Sequence, residues 1–270
     1  MLSDLYTLSK PGLRILRPME LAGKVALVVG AGPGIGRACA VAFRREGAEV
    51  AVAARRRPAL EQLAAEVGAH AVPADLADVG SCRALVEQVV ERLGGVDVVV
   101  NVATLGGART SVDEADWDHW RRSFEVNVVG TLEVSRCAAR SMAARGGGSI
   151  VQISTFGTHS MPKRQASYTA TKQAMVTATL TLAKELGPSN IRVNIVTPGY
   201  TTGPPLDALF AATAARSGET PAEVSARMAS TASLRRHVDP EDLAEAVLFL
   251  ASDRARNITG VELPVTAGQG

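Results

Sequence analysis

Tyr168 and Lys172 stand four positions apart in the segment ISTFGTHSMPKRQASYTATK, which covers positions 153–172. Residues at this spacing share one face of a helix, so the ammonium would lie near the phenol, favour its ionised form and lower a pKa that starts near ~10. Such a phenol can give a proton to a carbonyl oxygen, or take one from an alcohol. Ser154 and Thr155 place hydroxyls upstream of the pair.

A second chemical signal is VVGAGPGIGRA, positions 28–38. Glycines placed after a strand and before a helix let backbone approach a pyrophosphate, and the helix amino terminus adds free N–H groups. The spacing is G-x-x-x-G-x-G through Gly30, Gly34 and Gly36, with Pro33 and Ile35 between them. It departs from G-x-G-x-x-G, so its position between strand and helix carries the dinucleotide reading. The second strand ends in AARRR, positions 53–57. An NAD enzyme would usually place a carboxylate there for the ribose hydroxyls. Ala54 holds that slot and Arg55 follows, and a guanidinium pairs with a 2′-phosphate, so NADP(H) is the expected cofactor.

The elements that must position these groups follow from the apolar pattern. Runs of valine and isoleucine at 24–30, 49–54, 70–74, 96–101, 149–154 and 191–197 alternate with helical stretches at 34–46, 58–67, 79–93, 115–144, 167–186 and 240–251, and a last strand is expected near 260–265. Near-continuous apolar strands are covered on both faces, and the alternation predicts an α/β fold: one doubly wound parallel sheet of about seven strands, with helices on both faces. A chain of 270 residues fits one such domain. The segment 203–237 breaks the rhythm after a strand at the carboxyl edge and is expected to be a helical lid over the substrate.

Composition excludes several classes. The net charge is +2, with Lys and Arg scattered, so neither nucleic acid nor an anionic membrane surface is an expected partner. No apolar run reaches membrane-spanning length. Cys39, Cys82 and Cys137 are far apart and odd in number, which argues against a disulfide framework and fits a reducing cytoplasm. The four histidines are dispersed, and no metal is expected.

These motifs, in this order, resemble the short-chain dehydrogenase/reductase family from about Met19 onward: MELAGKVALVVGAGPGIGRA, ADLAD, FEVNVVG, YTATK, NIRVNIVTPGY and DPEDLAEAVLFLASDRARNITG. The resemblance implies a Rossmann-like domain and hydride transfer between NADP(H) and a ketone or secondary alcohol, with Tyr168 as general acid and base. It implies that Lys172 also holds the nicotinamide ribose and that Asn127 orients a water joining the lysine to solvent. Asp75 and Leu76 would contact adenine, and Asn101, Ala103, Pro198, Gly199 and Thr201 would line the cofactor. The family's third catalytic group is a serine thirteen residues before the tyrosine. Thr155 holds that position here, with Ser154 as competitor, and strand alternation should turn Ser154 to the opposite side.

Other positions depart from the family. Asn101-Val102-Ala103-Thr104 stands where Asn-Asn-Ala-Gly is usual, Gly203 takes the place of a threonine, and VTAGQG replaces the closing Asp-Gly-Gly. The substrate pocket is expected around 104–107, 155–161 and 200–202, with His159 a bystander, and a homotetramer or homodimer is expected. Residues 1–18 look like an appended arm whose removal should leave the cofactor site intact. A sensor or scaffold that binds dinucleotide with little chemistry is the other reading, but it gives no reason to keep Tyr168, Lys172 and Asn127 together.

Overall fold

The computed structural model describes residues 20–269, so the appended arm lies outside the described residues. The chain begins with β1 (Val25–Val29), α1 (Ile35–Arg45), β2 (Glu49–Ala53), α2 (Arg57–Val67) and a short β3 (His70–Ala71). There follow α3 (Val79–Leu93), β4 (Val98–Asn101), α4 (Trp117–Phe124), α5 (Thr131–Ala144) and β5 (Gly148–Ile153). The last part holds α6 (Gly157–Ser160), α7 (Ala166–Leu186), β6 (Ile191–Pro198), α8 (Pro204–Ser217), α9 (Pro221–Ala229), α10 (Pro240–Ala251) and β7 (Glu262–Val265).

All seven strands form one parallel sheet in the order β3-β2-β1-β4-β5-β6-β7. This is the expected doubly wound, Rossmann-like α/β fold. Successive residues of a strand point to opposite faces, so Ala26 and Val28 of β1 pack with α1 and α10, while Val25, Leu27 and Val29 pack with α3 and α5. Burial of both faces explains the unbroken valine runs. Strand order reverses between β1 and β4, where chain crossovers leave to opposite sides and a crevice opens at the carboxyl edge.

Two expectations change. The helix foreseen over 115–144 is α4 and α5 joined through a wider π-helical turn, Glu125–Gly130. Gly130 there meets the 74–78 segment so closely that a Cβ would lie 2.0 Å from the Leu76 carbonyl oxygen. β3 stops at Ala71 rather than 74 because Pro73 lacks an amide, although Val72 and Ala74 still donate to Val52 and Ala54. The 203–237 excursion is helical, and its α8 and α9 carry their own small apolar cluster of Leu206, Phe210, Ala214 and Val224. Its two ends meet where Thr201 bridges Val238 and Thr202 Oγ1 donates to Asp239 Oδ1 at 2.6 Å.

At the opposite edge of the sheet, Asp97 accepts from Val25 N at 2.8 Å and from Arg145 Nε and Nη2 at 2.9 Å each. Burial alone would raise this carboxyl, but the Arg145 fork and the Val25 amide hold it below its ordinary value. A depressed folded-state pKa adds stability above the unfolded value of about 4, which is lost as pH falls through the folded one. Asp97→Asn should cost roughly 2 kcal/mol near neutrality, and the gap to the native protein should narrow on acidification. Denaturant melts at several pH values check this; a gap that widens towards acid would contradict it.

Among the described residues no helix is long and apolar enough to cross a membrane, and no group of His, Cys, Asp and Glu could hold a metal ion.

Candidate active site

The chain makes a sharp turn after β1. Gly30 has φ +90°, and a Cβ on it would lie 2.2 Å from Ala103 N. Gly36 packs the first turn of α1 onto that loop, its added Cβ falling 2.4 Å from the Gly30 oxygen. Gly34 faces open space, so its missing side chain leaves room rather than relieving a clash. It is the N-cap of α1, makes no side-chain cap, and no acidic residue stands in the first turn. The first N–H groups of the helix, at Ile35 and Gly36, therefore lack intrahelical acceptors beside an uncluttered approach, which suits an anionic phosphate.

Two hollows open on either side of this loop and share Gly30, Gly32, Val102 and Thr104 on their walls. One, of about 320 Å³, is walled by Ala54, Arg55, Arg56, Asp75, Leu76 and Ala103. Among the described residues neither Arg55 nor Arg56 has an ion-pair partner, and no carboxylate stands in the slot held by Ala54. Asp75 lines this hollow, but its carboxylate also holds the local turn: Oδ1 accepts from Ala77 N at 3.0 Å and Oδ2 from Arg122 at 3.1 Å.

The other hollow, of about 340 Å³, is walled by Pro33 to Gly36, Ile153, Ser154, Tyr168, Lys172, Pro198 and Thr201, with Gly203 to Pro205 at its rim. Tyr168 lies in the first turn of α7 and Lys172 one turn further on. The Lys172 Nζ donates to the Ile153 carbonyl at 2.7 Å, and burial lowers the amine to about 8. Burial raises the Tyr168 phenol, while hydrogen bonds with the Thr155 and Thr104 hydroxyls lower it. The Lys172 ammonium is thus oriented by the Ile153 carbonyl one helical turn from the phenol.

Thr155 follows the end of β5, where its Oγ1 accepts from Gly157 N at 3.2 Å. Ser154 was expected to face away, but strand alternation ends at Ile153. Ser154 instead walls the hollow, is only 2% exposed, and its hydroxyl has no partner among the described residues. Thr155 meets the phenol and Ser154 faces the cleft.

Asn127 lies in the π-helical turn. Its Oδ1 accepts from Thr104 Oγ1 at 3.1 Å and from Leu105 N at 2.7 Å, while Nδ2 donates to Leu105 O and Thr171 Oγ1, both at 3.0 Å. Four bonds satisfy the amide, and the side chain clamps the 104–105 loop.

Two expected cofactor residues stand apart from the hollows. Asn101 turns inward, donating to Ser135 Oγ at 3.1 Å. Gly199 closes against the C-terminal turn, where a Cβ would lie 2.8 Å from Thr266 Cα. His159 stacks on Phe156 with ring centroids 5.9 Å apart, and its Nε2 lies 3.7 Å from Glu262. Arg56, Val102 and Thr104 line the cleft without having been singled out for the cofactor; the triple arginine and the Thr104 departure were their signals.

A crevice at the reversal of strand order, a glycine turn at a helix amino terminus and a Tyr-Lys pair facing the same crevice define a dinucleotide-binding oxidoreductase. Residues 30–269 match the family described as Enoyl-(Acyl carrier protein) reductase. The chain is 35% identical over 264 residues to the (3R)-3-hydroxyacyl-CoA dehydrogenase of Canis lupus familiaris, covering 93% of this chain and 98% of that one. Among solved structures it is similar to L-sorbose reductase from Gluconobacter frateurii complexed with NADPH and L-sorbose, with TM-score 0.86 and 30% identity over 94% of this chain and 98% of that one. It is also similar to an NAD+-bound xylitol dehydrogenase, with TM-score 0.85 and 31% identity over 92% and 100% of the two chains. The chain belongs to the short-chain dehydrogenase/reductase family. It is an oxidoreductase of alcohols and ketones, and it binds a nicotinamide dinucleotide.

Proposed function

We propose that this chain reduces a ketone to a secondary alcohol, or runs the reverse reaction, with NADP(H) as cofactor and Tyr168 as the group that transfers the proton. The observation that carries the reading is Tyr168 one helical turn from the buried Lys172, both on the wall of one cleft beside the glycine turn. The bound dinucleotide supplies or accepts the hydride.

The residues fit such a group. Gly34 leaves open space at the start of α1, Ile35 and Gly36 present amides to a pyrophosphate, and Ser154 has a spare hydroxyl beside Lys172 for the ribose end. Arg55 and Arg56 wall the far hollow where a carboxylate would repel a 2′-phosphate. Both cofactors occur among the similar structures, NADPH with the sorbose reductase and NAD+ with the xylitol dehydrogenase, so the arginines decide the preference.

Burial keeps the phenol protonated near neutrality, the form that donates to a carbonyl oxygen. Thr155 steadies that oxygen, and Lys172 holds the ribose. The 203–237 helices cover the substrate as a lid, and exposed Phe124, Val129 and Val261 suit burial in a homotetramer or homodimer.

Cofactor titrations test the assignment of Arg55. The native protein should bind NADPH at least roughly tenfold more tightly than NADH, and Arg55→Ala with Arg56→Ala should erase most of that difference by weakening NADPH alone. Equal native affinities, or equal losses for both cofactors, would sink it.

A further inference from the structure

Thr104 holds the position where the family's recurring segment has glycine, and it walls both halves of the cleft. Its hydroxyl donates to Asn127 Oδ1 at 3.1 Å. Asn127 is fixed from its other end by Thr171 Oγ1 at 3.0 Å, and Thr171 Oγ1 in turn donates to the Tyr168 carbonyl at 2.9 Å. Starting from the main chain of Tyr168, a run of hydrogen bonds thus passes through Thr171 and Asn127 to Thr104, which shares a cleft wall with the Tyr168 side chain. Just beyond, Gly107 lies so close that a Cβ would fall 3.1 Å from Tyr168 Cβ, which seats the loop carrying Thr104 against the first turn of α7.

We propose that Thr104 is a positioning residue for proton transfer, its single hydroxyl proton being shared in turn between Asn127 Oδ1 and the phenolic oxygen of Tyr168. The inference rests on Tyr168 being the proton-transfer group. While the phenol is neutral, the Thr104 O–H points to Asn127. Once Tyr168 has passed its proton to the substrate oxygen, the same O–H rotates to the phenolate, and no other proton changes owner. Asn127 Oδ1 is not orphaned by the rotation, because Leu105 N still donates to it at 2.7 Å. A hydrogen bond given to the ionised form lowers the cost of ionisation. With glycine at this position the phenolate would have Thr155 alone.

Charged groups on the neighbouring elements do not replace this bond. Lys172 on α7 is turned to the Ile153 carbonyl at 2.7 Å, His119 on α4 has its Nε2 2.9 Å from Gly106 O, and His159 on α6 lies 3.7 Å from Glu262 of β7.

The test uses Thr104→Val, which keeps the shape and removes the hydroxyl, and Thr104→Ser, which keeps the hydroxyl. Tyr168 is titrated in the cofactor-free protein by phenolate absorbance, as the difference from the same protein carrying Tyr168→Phe, and the pH profile of kcat/KM is followed beside it. The valine variant should raise the Tyr168 pKa by roughly one unit and move the profile with it, while the serine variant stays close to native. If valine perturbs the loop, Thr104→Ala should give the same shift. A native-like titration in the valine and alanine variants, or an equal shift in the serine variant, overturns the proposal. The titration needs no turnover, so a native protein that reduces no ketone would remove the oxidoreductase reading without deciding whether Thr104 tunes the phenol.

Discussion

Tyr168→Phe should reduce turnover by roughly 10²- to 10⁴-fold while leaving cofactor affinity unchanged. The substitution keeps the ring and the Cβ that lies against Gly107, and removes only the phenolic oxygen. Lys172 keeps its bond to Ile153 O at 2.7 Å, so the residue assigned to the ribose is undisturbed. The loss should therefore appear in kcat, with little change in KM or in the dissociation constant of NADPH. Among the described residues, Lys172 is the one other titratable side chain on this half of the cleft, and its ammonium is bonded to Ile153 O. A variant that retains more than about a tenth of native turnover would show that the proton comes from elsewhere.

Gly30→Ala should damage the protein most among the glycine changes. Its φ of +90° is costly for an L-residue, by roughly 1 to 2 kcal/mol, and the new Cβ would sit 2.2 Å from Ala103 N. That amide belongs to main chain already tied to the Val29 carbonyl at 2.9 Å, so it cannot retreat cheaply. Overpacking adds about 1 to 3 kcal/mol, for a total of roughly 2 to 5 kcal/mol. Any relief must shift the phosphate loop or the 102–104 segment, and either movement spoils the cleft. A Tm lowered by about 5 to 15 °C, together with loss of NADPH binding, is the expected result. Gly23→Ala serves as comparison: φ is +72° but nothing lies within 4 Å of the added Cβ, so it should cost only the backbone strain and leave binding intact. Equal melting points for the two variants would contradict the steric account.

Much of this was legible before the fold was seen, for physical reasons that also set its limits. Strands covered on both faces must be apolar at every position, and that is why 24–30, 49–54 and 191–197 announced a parallel sheet. The Tyr168–Lys172 spacing survives translation into structure because one turn of helix separates the two residues. The sequence could not show where the lysine would send its ammonium, since the Ile153 carbonyl reaches the site only by long-range packing. The π-helical turn at Glu125–Gly130 was likewise hidden: one extra residue in a turn leaves composition and apolar content unchanged, yet it aims Asn127 at the 104–105 loop.

Asn101 and Ser154 illustrate a one-residue problem. The last residue of a strand still obeys alternation, which turns Asn101 inward to Ser135; the first residue after a strand does not, which leaves Ser154 on the cleft wall. Departures from the family pattern proved informative in their own right. Thr104 stands where the family pattern has glycine, and the structure bonds its hydroxyl to Asn127 on the cleft wall it shares with Tyr168.

The central claim is direct hydride transfer from NADPH to a carbonyl carbon, and isotope tracing tests it most directly. The native protein is given a panel of ketones with NADPH deuterated at either face of nicotinamide C4, and the alcohols are examined by mass spectrometry. One of the two labelled cofactors should deliver a single deuterium to the carbinol carbon, and the other none. Alcohol formed without deuterium from either, or no alcohol from any ketone while NADPH is bound, would contradict the account.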